Sequence, residues 1–266
     1  RLPVASAQLK SAILLAGLYA EGQTTVIEPA PSRDHTERMF RALGVEVETH
    51  GNTITLDPPE DLRAVDIAVP GDISSAAFFL VAGAIVPDSE LTIRNVGVNP
   101  TRTGILDVLR DMGADISISN FRDNAEPVCD LTVKHSALRG VEIGGSIIPR
   151  LIDELPVIAV AAAFAEGETV IRDAQELKVK ESNRIAAMVN ELTRAGVDAE
   201  ETEDGMIIRG GKTPRAASFE TYGDHRIAMS LAVLALAAEG ASRINDPDVV
   251  AISYPDFFDT LTQLGG

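Results

Sequence analysis

The sequence predicts an α/β protein built from repeated βαβαββ units, and three observations predict it. An Ala-rich apolar helix, a short strand, a second helix, a glycine and a two-stranded hairpin follow one another in that order along the 266 residues, in four copies, the last without its hairpin. The glycines closing the second helices keep one interval, from Gly44 to Gly113 and again from Gly196 to Gly265. The apolar residues, 45% of the chain, are mostly Ala, Val, Leu and Ile; aromatics are 4% and Trp is absent. That composition suits many close helix–sheet contacts.

In the first copy a helix runs from Ser6 to Ala20 and stops at Glu21-Gly22. Thr24 to Ile27 is β-branched and reads as a strand. A helix over residues 34–43 ends at Gly44, and residues 45–49 and 53–57 alternate as strands around Gly51-Asn52. The second copy places helices at 74–86 and 101–112, a strand at 90–96, and a hairpin from 114–119 and 129–134. The third has helices at 153–165 and 180–195, a strand at 168–174, and a hairpin around Asp204-Gly205. In the fourth, a helix at 224–237, a short strand near 241–246 and a helix at 256–264 run to the end of the sequence. Each unit has an apolar helix face and a sheet face that it cannot bury alone, so units must pack side by side. The expectation is that a segment preceding residue 1 supplies the closing strands of the fourth unit. The opening Arg1-Leu2-Pro3-Val4, with neither initiator Met nor a signal-peptide pattern, reads as the interior of a longer protein. The proline-rich, charged stretch from Pro58 to Pro70 marks a boundary with one unit before it and three after.

A net charge of −17 repels nucleic acid and anionic membrane, so neither is expected as a partner. No uncharged apolar run reaches membrane-spanning length. The single cysteine, Cys129, excludes an internal disulfide, which fits a reducing cytoplasm, and it falls in a predicted strand as a core residue. The histidines lack metal-ligand spacing, and no nucleotide-binding glycine loop occurs.

Against this acidic background, cations stand at three helix starts: Ser32-Arg33-Asp34-His35, Lys178 to Arg184, and Asp224-His225-Arg226. A helix N-terminus offers free N–H groups and a positive dipole end to an anion. Arginines there can add bidentate grip on phosphate or carboxylate. Lys180 and Arg184 are four apart and are expected to share a helix face that Glu181 also reaches. On the residues alone, a solvated helix face with an ion pair fits as well. Asp224 serves equally as an N-cap, and Asp153-Glu154-Leu155-Pro156 as an ordinary helix start.

The stretches LPVASAQLKSAILLAGLYAEG, PSRDHTERM, GDISSAAFFLVAG, IDELPVIAVAAAFAEG, KVKESNRI and YGDHRIAMSLAVLAL resemble, in order and over the whole chain, the signatures of the 5-enolpyruvylshikimate-3-phosphate synthase family, in the form of its glyphosate-tolerant bacterial branch. The resemblance implies an inside-out α/β barrel with helices inward. Residues 1–66 would be the last unit of an N-terminal domain, and 67–266 a C-terminal domain of three units. It implies transfer of the enolpyruvyl group of phosphoenolpyruvate to the 5-hydroxyl of shikimate 3-phosphate, in a cytoplasmic monomer that needs no metal or organic cofactor and has glyphosate as an inhibitor. Ser6, Ala7, Gln8 and Arg33 would hold shikimate 3-phosphate. Asp153 would be the base on the hydroxyl, and Lys180 would contact the same substrate. Glu181 would exchange a proton with the phosphoenolpyruvate methylene. Arg184, His225 and Arg226 would bind phosphoenolpyruvate.

One departure is Ile252, which stands where many members carry a lysine. The family's N-terminal contacts are not in this sequence, so the isolated chain is expected to be incomplete. The alternatives are a silent piece awaiting its complement and a UDP-N-acetylglucosamine enolpyruvyl transferase relative, though the proline-rich PGFPTD-like stretch of the latter has no match here.

Overall fold

The computed structural model describes residues 1–123 and 125–265. The first unit runs α1 (Ala7–Gly17), β1 (Thr24–Ile27), α2 (His35–Ala42), β2 (Glu46–His50) and β3 (Thr53–Asp57). The second has α3 (Ile73–Ile85), β4 (Glu90–Gly97), α4 (Gly104–Asp111), β5 (Asp115–Asp123) and β6 (Pro127–Lys134). The third has β7 (Glu142–Ile143), α5 (Leu155–Phe164), β8 (Glu168–Ile171), α6 (Arg184–Arg194), β9 (Asp198–Glu201) and β10 (Met206–Arg209). The last comprises β11 (Ser218–Phe219), α7 (His225–Ala237), β12 (Arg243–Ile244) and α8 (Phe257–Gln263).

Each of the first three units folds its hairpin antiparallel onto its central strand, giving the orders β1-β3-β2, β4-β6-β5 and β7-β8-β10-β9. In the last unit, among the described residues, β12 pairs only with β11, in parallel. Two-residue leading strands, β7 and β11, begin the third and fourth units. They are too short to show as an alternating pattern and were not legible in the sequence.

Composition dictates the layering. A helix apolar on every side has no face to give to water and must be buried. Every residue of α3 except Ser75 is buried, as is every residue of α5 except Phe164. These two helices and α7 pack against one another at the centre, with the sheets outside. Helices α4 and α6 are apolar along one stripe only, as their alternating burial records. The second helices end on Gly44, Gly113, Gly196 and Gly265, with φ of +85°, +95°, +83° and +91°. Only glycine enters that left-handed region freely, which is why the sequence repeats it there. Cys129 lies in β6, fully buried, and burial followed by Asp130 pushes its thiol up.

The apolar core falls into two clusters. One joins Leu14, Val26, Phe40, Ile54 and Leu56 of the first unit, and the other runs from Ile73 to Leu261. Between them residues 58–70 form neither helix nor strand. Helix α1 differs from its counterparts. It leaves Leu9 and Leu15 exposed, and Tyr19 just after it, and its main contacts are with β1 and β3. Among the described residues no helix is long and apolar enough to cross a membrane.

Candidate active site

Four helix starts are held by polar residues that prefer caps to helix interiors. Ser6 Oγ accepts the Leu9 N–H at 3.3 Å, Asp72 accepts that of Ser75 at 3.0 Å, Asn183 that of Ala186 at 3.2 Å, and Asp224 that of Arg226 at 2.9 Å. The Asn183 cap corrects one expectation. Helix α6 begins at Arg184, and Lys180 to Asn183 precede it in non-helical conformation. Lys180 and Arg184 therefore do not share a helix face. They reach the same carboxylate from separate stretches of backbone.

That carboxylate is Asp153, at the entrance to α5. Arg33 donates to it at 3.2 Å, Arg184 at 3.5 Å, and Lys180 Nζ stands 3.9 Å away. Arg226 donates to the Asp153 carbonyl at 3.4 Å. Burial works to raise the Asp153 pKa, but Arg226, Lys180 and Arg33 outweigh it and hold the carboxyl below its ordinary range. Residues from three units thus converge on one anion.

Behind it, Arg184 is buried against Asp224, with Nε to Oδ2 at 2.8 Å and Nη2 to Oδ1 at 3.3 Å. Ser182 adds a hydrogen bond to Asp224 at 3.0 Å. Burial would raise the Asp224 carboxyl, yet the Arg184 hydrogen bond and charge keep it ionised below its usual range. So the anion that compensates Arg184 at the dipole's positive end is a protein carboxylate. Glu181, nearly half exposed, accepts from the same Nη2 that meets Asp224 Oδ1. Lys180 also pairs with Glu176.

His225 is buried rather than exposed as an ordinary helix start would have it. Burial and then Arg226 push its pKa down, and among the described residues Nδ1 has no partner. Ser6 and Ala7 are half-buried at the start of α1 and Gln8 is exposed. Among the described residues no hydrogen bond or ion pair ties these three to Asp153. Ile252 is exposed on a 3-10 turn and contributes nothing to the cluster.

Several charged groups around the site escaped the sequence reading. Lys10 is buried between Glu28 at 3.0 Å and Glu37 at 2.7 Å, and Glu28 also accepts from Ser32, linking α1 to the segment carrying Arg33. Asn99 bridges Asp34 at 2.7 Å and Glu126 at 3.1 Å, and Glu126 meets His35 at 2.7 Å, tying the first unit to the second. Glu154 is buried against Ser74 and Arg102. Charges on separate units carry no local pattern that would announce such partners. A cavity of about 690 Å³ lies alongside, between α2 and the Asp66–Ile73 strap, with Arg102 in its wall. Asp153 does not line it, and its side chain keeps 18% of its surface open to solvent among the cations.

A helix-centred α/β repeat protein with a half-buried aspartate, Asp153, gathering four cations near helix starts defines the class. The comparisons with known proteins narrow it. The family model for EPSP synthase (3-phosphoshikimate 1-carboxyvinyltransferase) matches residues 1–261. The 3-phosphoshikimate 1-carboxyvinyltransferase of Geobacillus kaustophilus is 61% identical over 98% of this chain and 62% of its own length. That of Thermoanaerobacter sp. strain X514 is 58% identical over 99% of this chain and 63% of its own. Among solved structures, an EPSP synthase from Acinetobacter baumannii superposes with a TM-score of 0.94 at 46% identity, over 98% of this chain and 61% of that one. The enolpyruvyl transferase NikO from Streptomyces tendae gives 0.75 at 25% identity, over 95% and 57%. The chain belongs to the EPSP synthase family, and it spans about three fifths of the length of the relatives it matches.

Proposed function

We propose that this chain carries the catalytic carboxylates and most of the cationic grip of an enzyme that moves the enolpyruvyl group of phosphoenolpyruvate to the 5-hydroxyl of shikimate 3-phosphate. The observation that supports this best is the gathering of Arg33, Lys180, Arg184 and Arg226 around Asp153, cations suited to two phosphorylated reactants.

In this reading Asp153 takes the proton of the 5-hydroxyl as its oxygen attacks C2 of phosphoenolpyruvate. Glu181 protonates C3 in the same step, leaving a tetrahedral adduct. Glu181 then recovers a proton from C3, the double bond re-forms, and the C2–O bond to phosphate breaks with the proton from Asp153 going to the departing phosphate. Every bond change is balanced by proton transfer, so the step calls for no metal or redox cofactor. Arg184 and Arg226 bind the phosphoenolpyruvate anions, with His225 as a hydrogen-bonding neighbour. Ser6, Ala7, Gln8 and Arg33 take the shikimate phosphate, and Lys180 the same substrate. Positioning and preorganised charge supply the acceleration. Substrate anions would also draw the arginines and lysine away from Asp153. Its depressed pKa would then rise, making it a stronger base only once both reactants are bound.

Residues 1–66 would close an N-terminal domain whose other units lie in the part of the relatives' length not spanned here, and 67–266 would form the C-terminal domain. The exposed Leu9 and Leu15 of α1, and Tyr19 just after it, support further packing on that side. The enzyme would act as a cytoplasmic monomer, with glyphosate competing for the phosphoenolpyruvate cations.

The test is phosphate release from phosphoenolpyruvate with shikimate 3-phosphate or UDP-N-acetylglucosamine as acceptor. Turnover with the first only is expected from the complete native polypeptide, and poor turnover from the 266 residues alone. Activity only with the nucleotide sugar, or ordinary rates from the 266 residues alone, would overturn the corresponding part.

A further inference from the structure

Glu154 follows Asp153 in sequence but faces the opposite way. Its side chain is buried to 1% exposure and accepts a hydrogen bond from Ser74 Oγ in the first turn of α3. Ser74 Oγ in turn accepts from Arg102 Nη2 at 2.6 Å, and the same Nη2 lies 3.3 Å from Asp72 and 3.9 Å from Glu154. Arg102 is itself mostly buried, and among the described residues its Nε has no partner. The backbone of Glu154 is fixed as well: its N–H donates to the Leu151 carbonyl at 2.9 Å, and its carbonyl accepts from Ile158 at 3.0 Å.

The two neighbouring residues are therefore pulled apart. Asp153 is drawn toward Arg33, Lys180 and Arg184, while Glu154 is tied to α3 on the far side of the turn. A buried carboxyl is costly to keep without a partner, so it sits where its bonds hold it and resists displacement. With that tie cut, only the backbone bonds of the turn oppose the pull of the cations on its side chains. Burial also pushes the Glu154 carboxyl up.

We propose that Glu154, through Ser74 and Arg102, is a positioning residue for Asp153, setting where the reacting carboxylate stands among the cations. This deepens the transferase reading and rests on it.

The test is steady-state kinetics on the complete native polypeptide, wild-type turnover being measured first. An inactive wild type would sink the transferase reading; an active wild type with indifferent variants would sink only the present inference. Glu154→Ala is expected to lower kcat on the order of 10²-fold, the scale of a displacement of about 1 Å at a reacting group, with both KM values within about threefold of wild type. Glu154→Gln, whose Oε1 still accepts from Ser74, is expected to restore kcat to within about threefold on the same scale. A merely structural role would lower the thermal midpoint and leave kcat per folded enzyme unchanged. Should Glu154→Ala fail to fold, Ser74→Ala decides, since it removes a single oxygen. A kcat loss of about fivefold or more with unchanged KM supports the tie. Unchanged kcat in a folded Glu154→Ala or Ser74→Ala variant, or a loss in Glu154→Gln as large as in Glu154→Ala, overturns it.

Discussion

Replacing Asp224 with Ala removes three things at once. It deletes the buried partner of Arg184, a cap on α7, and the acceptor of Ser182. Leaving a buried charge without its partner costs about 3–5 kcal/mol. Here Asp153 at 3.5 Å and the half-exposed Glu181 still face the guanidinium, which favours the lower end, about 3 kcal/mol. The lost cap adds about 1 kcal/mol. Asp224→Asn keeps the cap and an acceptor but not the charge, so it should cost about 1–2 kcal/mol. Urea unfolding followed by circular dichroism checks this. With a slope near 3 kcal/mol/M, the Ala variant should lower the midpoint by about 1 M or more and the Asn variant by about half that. The sign of the pH dependence follows from the depressed Asp224 pKa. Its contribution is fully present above the unfolded-state value of about 3.9 and fades as pH falls through the lower folded value, so wild type and Asn variant should converge in acid. An Asn variant matching wild type at neutral pH, or a gap that persists in strong acid, would refute the buried-pair account.

Further outcomes follow from the charges of the site and of the first unit. Asp153→Asn should lower turnover about 10²-fold or more, read by phosphate release. In the wild type the acid limb of kcat/KM should lie below the ordinary carboxylate value, and that of kcat should lie higher, because bound anions neutralise the ring of cations; coincident limbs would contradict this. Lys10→Met should destabilise by about 3–5 kcal/mol by stranding Glu28 and Glu37. The triple variant Lys10→Met, Glu28→Gln, Glu37→Gln should recover most of that thermal stability, since replacing all buried charges together strands none.

The repeat was legible before any coordinates because its signals are local. Gly44, Gly113, Gly196 and Gly265 mark left-handed helix ends, and the unbroken apolar runs of α3 and α5 have no face for water, so both had to be central. The cations at helix starts were equally visible, as sequence neighbours of capping residues. Their partners were not. Asp153 meets Arg33 across 120 positions and Arg184 across 31, and Glu154 meets Ser74 across 80. The shift at Asn183, which turned Lys180 out of α6, was likewise hidden, because Ser182 and Asn183 suit a helix start or a cap and only their hydrogen bonds decide.

By itself, then, the sequence determined most of the helices and strands and which cations stand near helix starts, since backbone preference and apolar periodicity act over a few residues. The tertiary structure alone decided that those cations surround Asp153, that Asp224 holds Arg184, and that Glu154 turns away toward α3. Electrostatic pairing depends on distance in space, and a chain folded through several units brings together groups that no interval in the sequence relates.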